Sequence, residues 1–505
     1  MAYYRGMSMN PRKVLLLEFN EISWAVVDKL VAENGAGYLP NFARLRSHGA
    51  CATQVAEERP PHLDPWITWV TVHTGVPQEV HRASVLEQEA ATIGARRSWE
   101  HAIAAGLKVG IFGSIGAYPP LPVDGFMVPG PFAPGPETFP PSLEPVQKIN
   151  RLGTLVQNKT GARLGVGELA RLAFQLPAHG LKPATMFAIG AQLLRERLNP
   201  ALRWRRPALQ PLVNFDVFAR LYRRHQPAFA TWHTNHAAHF MHHYWRAWDD
   251  STFRAKSPPA ERKLYGDAVP RGYRLCDRLL GRFIKLVGPQ GVLVVASSMG
   301  QKPYQSERYQ EGKFIVRIRD IERFLDLIGR DGIDEVVPTM VPQWNLSVPD
   351  PSRRAQVKRR LEAVRRRVAD VVEPGIHVAE NGQLLTISPY GLPARIPGVR
   401  YFFDGCPGVA PDGIAMESLF TLDAPTPKQG MHHPEGLLAF IGAGIAPGSD
   451  LGTCSNLDVA PTLLSLLAIP IPSEMKGRPL LGKPLPEPAI ATVSPTAFPS
   501  PLQGA

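Results

Sequence analysis

Cysteine is scarce in this 505-residue chain: Cys51, Cys276, Cys406 and Cys454 are scattered and form no C-x-x-C pair. A thiolate zinc site or a disulfide framework is therefore not expected. No run of about 20 apolar residues occurs, so no transmembrane helix is expected. The stretch from Met1 to Lys13 lacks the apolar core of a secretory signal, which makes the cytoplasm the expected compartment. No internal repeat and no specific nucleic-acid motif is present. Acidic side chains are outnumbered, 44 Asp and Glu against 56 Lys and Arg, giving a formal net charge of +12. That balance favours anionic partners such as phosphorylated or sulfated small molecules or glycans. It equally fits an ordinary basic protein, because net charge speaks to association and not to fold.

Hydrophobic residues make up 44% of the chain and charged residues 20%, a foldable composition. The length calls for one large domain with insertions, or two domains. Short apolar runs alternate with helical patterns. Val14 to Leu17 reads as a buried strand breaking into the polar residues Glu18 to Glu21. Trp24 to Glu33 is helix-like. Pro40 and Gly49 suit the start and stop of a second helix. The segment from Pro60 to Gly75 runs from a loop into a helix, with Pro65 in its first turn and Asp64 placed to cap it. Val109 to Phe112, Pro227 to His233, Val292 to Ala296 and Gly436 to Ile441 read as further strands. Tyr273 to Leu286 and Val459 to Leu467 read as helices. Pro119 to Pro145, dense in proline and glycine, reads as a surface loop. This alternation predicts an α/β fold with a mostly parallel central sheet and helices on both faces.

Two spans differ in character. Residues 146–225 carry amphipathic helical stretches and read as a helical insertion. Residues 331–395 read as a small α+β insertion, with a basic helix from Arg353 to Val368 and a hairpin turning at Asn381-Gly382. Both sit within one domain over 12–485, and the Pro-rich tail 486–505 is expected to be disordered.

The richest stretch is Gly291-Val-Leu-Val-Val-Ala-Ser-Ser-Met-Gly300, a strand ending in polar residues where an open α/β sheet places its chemistry. With it belong Leu39-Pro-Asn-Phe-Ala-Arg-Leu45, Thr74-Gly75, Gly125 to Pro134, Tyr273-Arg-Leu-Cys-Asp277, Gly430-Met-His-His-Pro-Glu-Gly436 and Leu457-Asp-Val-Ala-Pro-Thr-Leu463. In this order the chain resembles the alkaline phosphatase superfamily, and within it the type I phosphodiesterase/nucleotide pyrophosphatase branch, over about Val14 to Leu481. The resemblance implies an alkaline-phosphatase-like sandwich. It also implies two zinc-type ions at the strand ends and a Thr, Ser or Cys nucleophile activated by metal.

Carried over position by position, the first ion site is altered. The first-strand Asp falls on Asn20, the nucleophile on Pro65, and the Asp-His of the family's Ser-Asp-His-Gly on Ser298 and Met299. Asp64, one residue away, and Thr68, three along, are the oxygen-bearing side chains left as catalytic candidates. The second site keeps more: Asn235-His-Ala-Ala-His239 stands for Asp-x-x-x-His and His432 for the late His. Five histidines, His233, His236, His239, His242 and His243, lie close together. His236, His239 and His243 share one helical face. Asn20, Asn235, His236, His239 and His432 are thus candidate ligands for one divalent ion, zinc, manganese or iron.

Plainer roles stand beside these. Asn20, Asn235 and Ser298 also suit hydrogen bonding at strand ends, Met299 suits core filling, and the histidines suit a polar face. Two functions follow: a hydrolase of phospho- or sulfo-esters with an altered mononuclear site, or an inactive pseudoenzyme binding an anionic ligand or glycan. A membrane phosphoethanolamine transferase is disfavoured by the lack of a spanning segment.

Overall fold

Val14–Phe19 forms β1, buried at every position, and the main sheet is built around it. The computed structural model describes residues 12–481 apart from 61, 87, 89, 159–165, 339–342, 404–411 and 423–426. Cys406 and the tail 486–505 lie outside the described residues. The next strands in the chain are β2 (Ala50–Val55), β3 (Val109–Phe112), β4 (Gly125–Val128), β5 (Phe229–Thr234) and β6 (Val292–Ala296). With Glu435–Gly442 and Ser449–Ser455 they make an eight-stranded sheet. Its order is Ser449–Ser455, β2, Glu435–Gly442, β6, β1, β5, β3, β4. From β6 to β4 all neighbours are parallel. Glu435–Gly442 is the exception, antiparallel to both β2 and β6.

The strands are apolar throughout because both faces are covered. Leu15, Leu17 and Phe19 point into a core with the helices Trp24–Asn34, Pro40–His48, Gln210–His225, His236–Trp248 and Ala268–Val287. Val14 and Leu16 point into the opposite core, against Pro65–Thr74, Ser98–Ala104 and Val459–Leu466. Helix ends are fixed locally: Asp277 accepts from the backbone N–H groups of Asn41 (2.8 Å) and Phe42 (3.0 Å), satisfying donors that open the Pro40–His48 helix. The register sets Glu18 beside His233 and Ala296. The residues that follow β1, β5 and β6 therefore emerge at one edge: Asn20-Glu21, Asn235-His236 and Ser297-Ser298.

Several expectations need correction. The first strand does not break at Glu18, which is buried inside β1 where the side chains of Ser114 and His233 cover it. The segment from Pro119 to Pro145 contains β4, a four-residue strand. Its prolines lie outside β4, which pairs with β3 and bridges Phe139 through Met127. β2 has no counterpart in the sequence reading; Cys, Thr and Gln at its alternate positions mask a strand of this short a span. The basic helix expected from Arg353 to Val368 ends at Glu362. Val364–Val368 is a strand whose buried Val364, Arg366 and Val368 alternate with exposed arginines, a period of two that its arginines hide.

β6 leads into β7 (Gly300–Pro303), which pairs antiparallel with Gly430–His433. Between these partners the chain builds a separate hydrophobic core, running from Phe314 to Leu422. It holds two four-stranded sheets, one containing the hairpin Ile376–Asn381 and Leu384–Pro389. Entry and exit of this unit thus lie side by side in one two-stranded ribbon. No described helix is long and apolar enough to cross a membrane.

Candidate functional site

The chain turns sharply after β1, and Glu21 takes a left-handed backbone conformation with φ 59°. Such a conformation costs a non-glycine residue of order 1 kcal/mol and persists only where its surroundings fix it. Here side chains fix it. Asn20 Nδ2 donates to Glu21 Oε1 at 2.8 Å and Gln301 Nε2 donates to Oε2 at 2.5 Å. Glu21 is 2% exposed. Two histidines approach the same carboxylate: His242 Nε2 lies 3.1 Å and His432 Nε2 3.6 Å from Oε2.

The far nitrogen of each ring faces an acceptor. His242 Nδ1 lies 2.9 Å from the Gly430 carbonyl, and His432 Nδ1 lies 2.8 Å from the Leu63 carbonyl. A carbonyl only accepts, so each Nδ1 carries a proton and each Nε2 is left facing the carboxylate. In the neutral rings two lone pairs face that oxygen, an arrangement that a cation among the three groups stabilises: a proton, which makes the ring an Nε2–H donor to Glu21, or a metal ion. Glu21, His242 and His432 each offer one ligand atom, and these atoms all lie within 4.8 Å of one another. Two imidazoles and a carboxylate are a zinc-type donor set, and outer carbonyls on the second ring nitrogens are the usual way to orient it. The residues therefore fit one divalent ion.

Protons on the rings play the same part as an ion would: burial alone would raise the Glu21 carboxyl, but the charge of protonated His242 and His432 outweighs it and holds it down at about 2. Burial pulls His242 below its ordinary value, against the opposing pull of Glu21. His239 lies well below its ordinary value, through burial first and then its neighbours His243, His242 and His236.

The cluster opens onto a cavity of about 290 Å³ between the main sheet and the 314–422 unit. Asn20, Asp64, Pro65, Asn235, His239 and His432 line it, so the sequence candidates at these positions do converge. Asp64 stands at the N-cap of the Pro65–Thr74 helix but makes no side-chain cap there. Its Oδ1 lies 3.2 Å from His432 Nδ1 instead. Four other candidates lie elsewhere. His236 is buried against the Ala268–Val287 helix, with Nε2 3.2 Å from the Gly272 carbonyl. Thr68 and Ser298 are fully buried and hydrogen-bond each other at 2.8 Å. Met299 is 0% exposed and packs with Ala56 and Leu63.

Glu21, His242, Lys313 and Lys428 were not singled out by sequence reasoning. Glu21 directly follows Asn20, and His242 lies in the histidine cluster. The missing information was which helical face meets the strand Gly430–His433. The cavity's apolar lining includes Trp66, Leu86, Ile115 and Phe132, and Arg317, Gln343 and Ser388 add polar wall.

No family model matches the chain, and no curated protein matches it in sequence. Among solved structures, one match is murine ectonucleotide pyrophosphatase/phosphodiesterase 5, an inactive variant in complex with AMP. It shares 11% sequence identity, covering 91% of this chain and 95% of that one, at a TM-score of 0.41.

Proposed function

We propose that the chain is a metal-dependent hydrolase of phospho- or sulfo-esters, related in plan to the type I phosphodiesterases. It holds one divalent ion, zinc, manganese or iron, on Glu21, His242 and His432. The observation that carries this reading is the pair of Nδ1–carbonyl contacts, which leave two Nε2 atoms facing one carboxylate. An ion bound there supplies Lewis acidity to an ester oxygen. The chain's own groups do the rest. Glu21 contributes the negative charge, and Gly430 and Leu63 hold the ring tautomers. Asp64, beside His432 on the cavity wall, is placed to take a proton from an entering water at Oδ1.

A second reading, a binding protein without turnover, is favoured by one observation. Pro65 has no side-chain nucleophile, and the Thr68 hydroxyl is buried on Ser298. The test is metal content of the purified protein by inductively coupled plasma mass spectrometry, with Glu21→Gln and His432→Ala as controls. About one ion per chain, lost in both variants, is expected. Turnover of phosphate diesters, phosphate monoesters or sulfate esters that follows the metal selects the hydrolase. Full metal occupancy with no turnover of any of the three selects the binding protein. Absence of metal in the unaltered protein overturns the site.

A further inference from the structure

The cavity also carries two lysines, Lys313 and Lys428. They are directly opposed in an antiparallel bridge: Lys313 N donates to Lys428 O at 2.9 Å and Lys428 N donates to Lys313 O at 2.8 Å. Residues paired in this way project their side chains to the same face, and like charges so placed are destabilising. Among the described residues, neither ammonium has a carboxylate within 4.0 Å. Lys313 Nζ has only the Tyr309 ring, 5.9 Å from its centroid. The acids that act on Lys428 are Glu21 and Asp64, which line the same cavity.

We infer that Lys313 and Lys428 together bind the tetrahedral oxyanion, phosphate or sulfate, of the ligand whose organic part lies against Trp66, Leu86, Ile115 and Phe132. The charge count supports a dianion. On the reading proposed above, on which this inference rests, one divalent ion and two ammonium groups stand against the carboxylates of Glu21 and Asp64. Among these groups two positive charges are left over, with the Arg317 guanidinium also on the cavity wall, and they match a phosphate monoester or its free phosphate. Burial lowers the pKa of both lysines; the charge of Lys428 lowers Lys313 further, while Glu21 and Asp64 oppose the shift at Lys428. A bound dianion would reverse that cost.

The test is calorimetric titration of the zinc-loaded full chain with inorganic phosphate and with phenyl phosphate. Lys313→Gln and Lys428→Gln are expected to weaken both by about 10- to 100-fold, the range for losing one charge-assisted contact. Lys313→Arg restores binding, which a folding defect would not. Zinc affinity, read by chelator competition, is expected to be equal or higher in Lys428→Gln, since a cation has been removed from beside the ion. Phenyl phosphate binding tighter than inorganic phosphate marks an organic ester as the ligand; equal binding marks the free oxyanion, and either supports the lysine pair. Undiminished phosphate binding in both glutamine variants overturns it, as does no binding to the unaltered protein. Failure of the metal reading shows separately: the unaltered protein then takes up no zinc, while phosphate binding still falls with each lysine.

Discussion

Asn20 illustrates how one atom changes the meaning of a position. Its Oδ1 accepts from Trp69 Nε1 at 2.7 Å, which turns Nδ2 towards Glu21 Oε1 and Asn235 Oδ1. An aspartate there would place a second carboxylate against Glu21 and donate nothing. By resemblance alone, Asn20→Asp would repair a lost ligand; by geometry, it removes the clamp that aims Glu21. We expect Asn20→Asp to lower zinc affinity by about 10- to 100-fold, as loss of an outer partner does. Chelator competition measures this, and a gain in affinity would refute the clamp. The resemblance carried Asn20, Asn235, His239 and His432 to positions that line the cavity, because the spacing of its motifs around the strands is kept. It did not locate Glu21, because a left-handed turn redirects the side chain in a way no period encodes.

At the scale of the element, the end of β6 shows the reverse case. The sequence left Ser298 and Met299 open between degenerate ligands and plain structure. Ser297 Oγ donates to the Met299 carbonyl at 2.6 Å, and Thr68 donates to Ser298. That strand end is closed by its own hydroxyls, with Met299 filling the space beneath Leu63. Met299→Ala is expected to cost about 2–5 kcal/mol, the range for truncating a buried large apolar side chain. Urea denaturation measures it. Because the Leu63 carbonyl orients His432, zinc affinity is expected to fall in the same variant. Other elements were legible for a simple reason: β1, β6 and the Ala268–Val287 helix have long, one-sided or fully apolar patterns. β2 and Val364–Val368 were not, because polar or charged residues occupy half of a short strand.

At the scale of the whole molecule, Glu18 ties the sheet together. It is fully buried on the central strand β1, accepts from Ser114 Oγ at 2.7 Å, and has His233 Nδ1 at 3.1 Å and His73 Nε2 at 3.2 Å. These come from β5, from the loop after β3 and from the Pro65–Thr74 helix. Burial raises its pKa, yet His73 and His233 prevail and bring it from 4.5 to about 2. A carboxyl held below its unfolded value adds stability above the unfolded pKa and loses it as pH falls through the folded one. Glu18 is therefore expected to add stability that is lost as pH falls from about 4.5 to about 2. The stability difference between the unaltered protein and Glu18→Gln should narrow over that window in urea melts. Parallel pH curves for the two proteins would show that Glu18 carries no such charge interaction.

The two-stranded ribbon of β7 and Gly430–His433 has a consequence for how such a protein changes over time. An excursion whose ends already lie together is exchangeable: it can lengthen, shrink or be replaced without re-threading the sheet. The wall that meets the ligand, from Lys313 to Gly391, hangs on that excursion, while Glu21 and His242 belong to the sheet layer. Inheritance can therefore rewrite what the cavity accepts while the floor beneath it stays as it was.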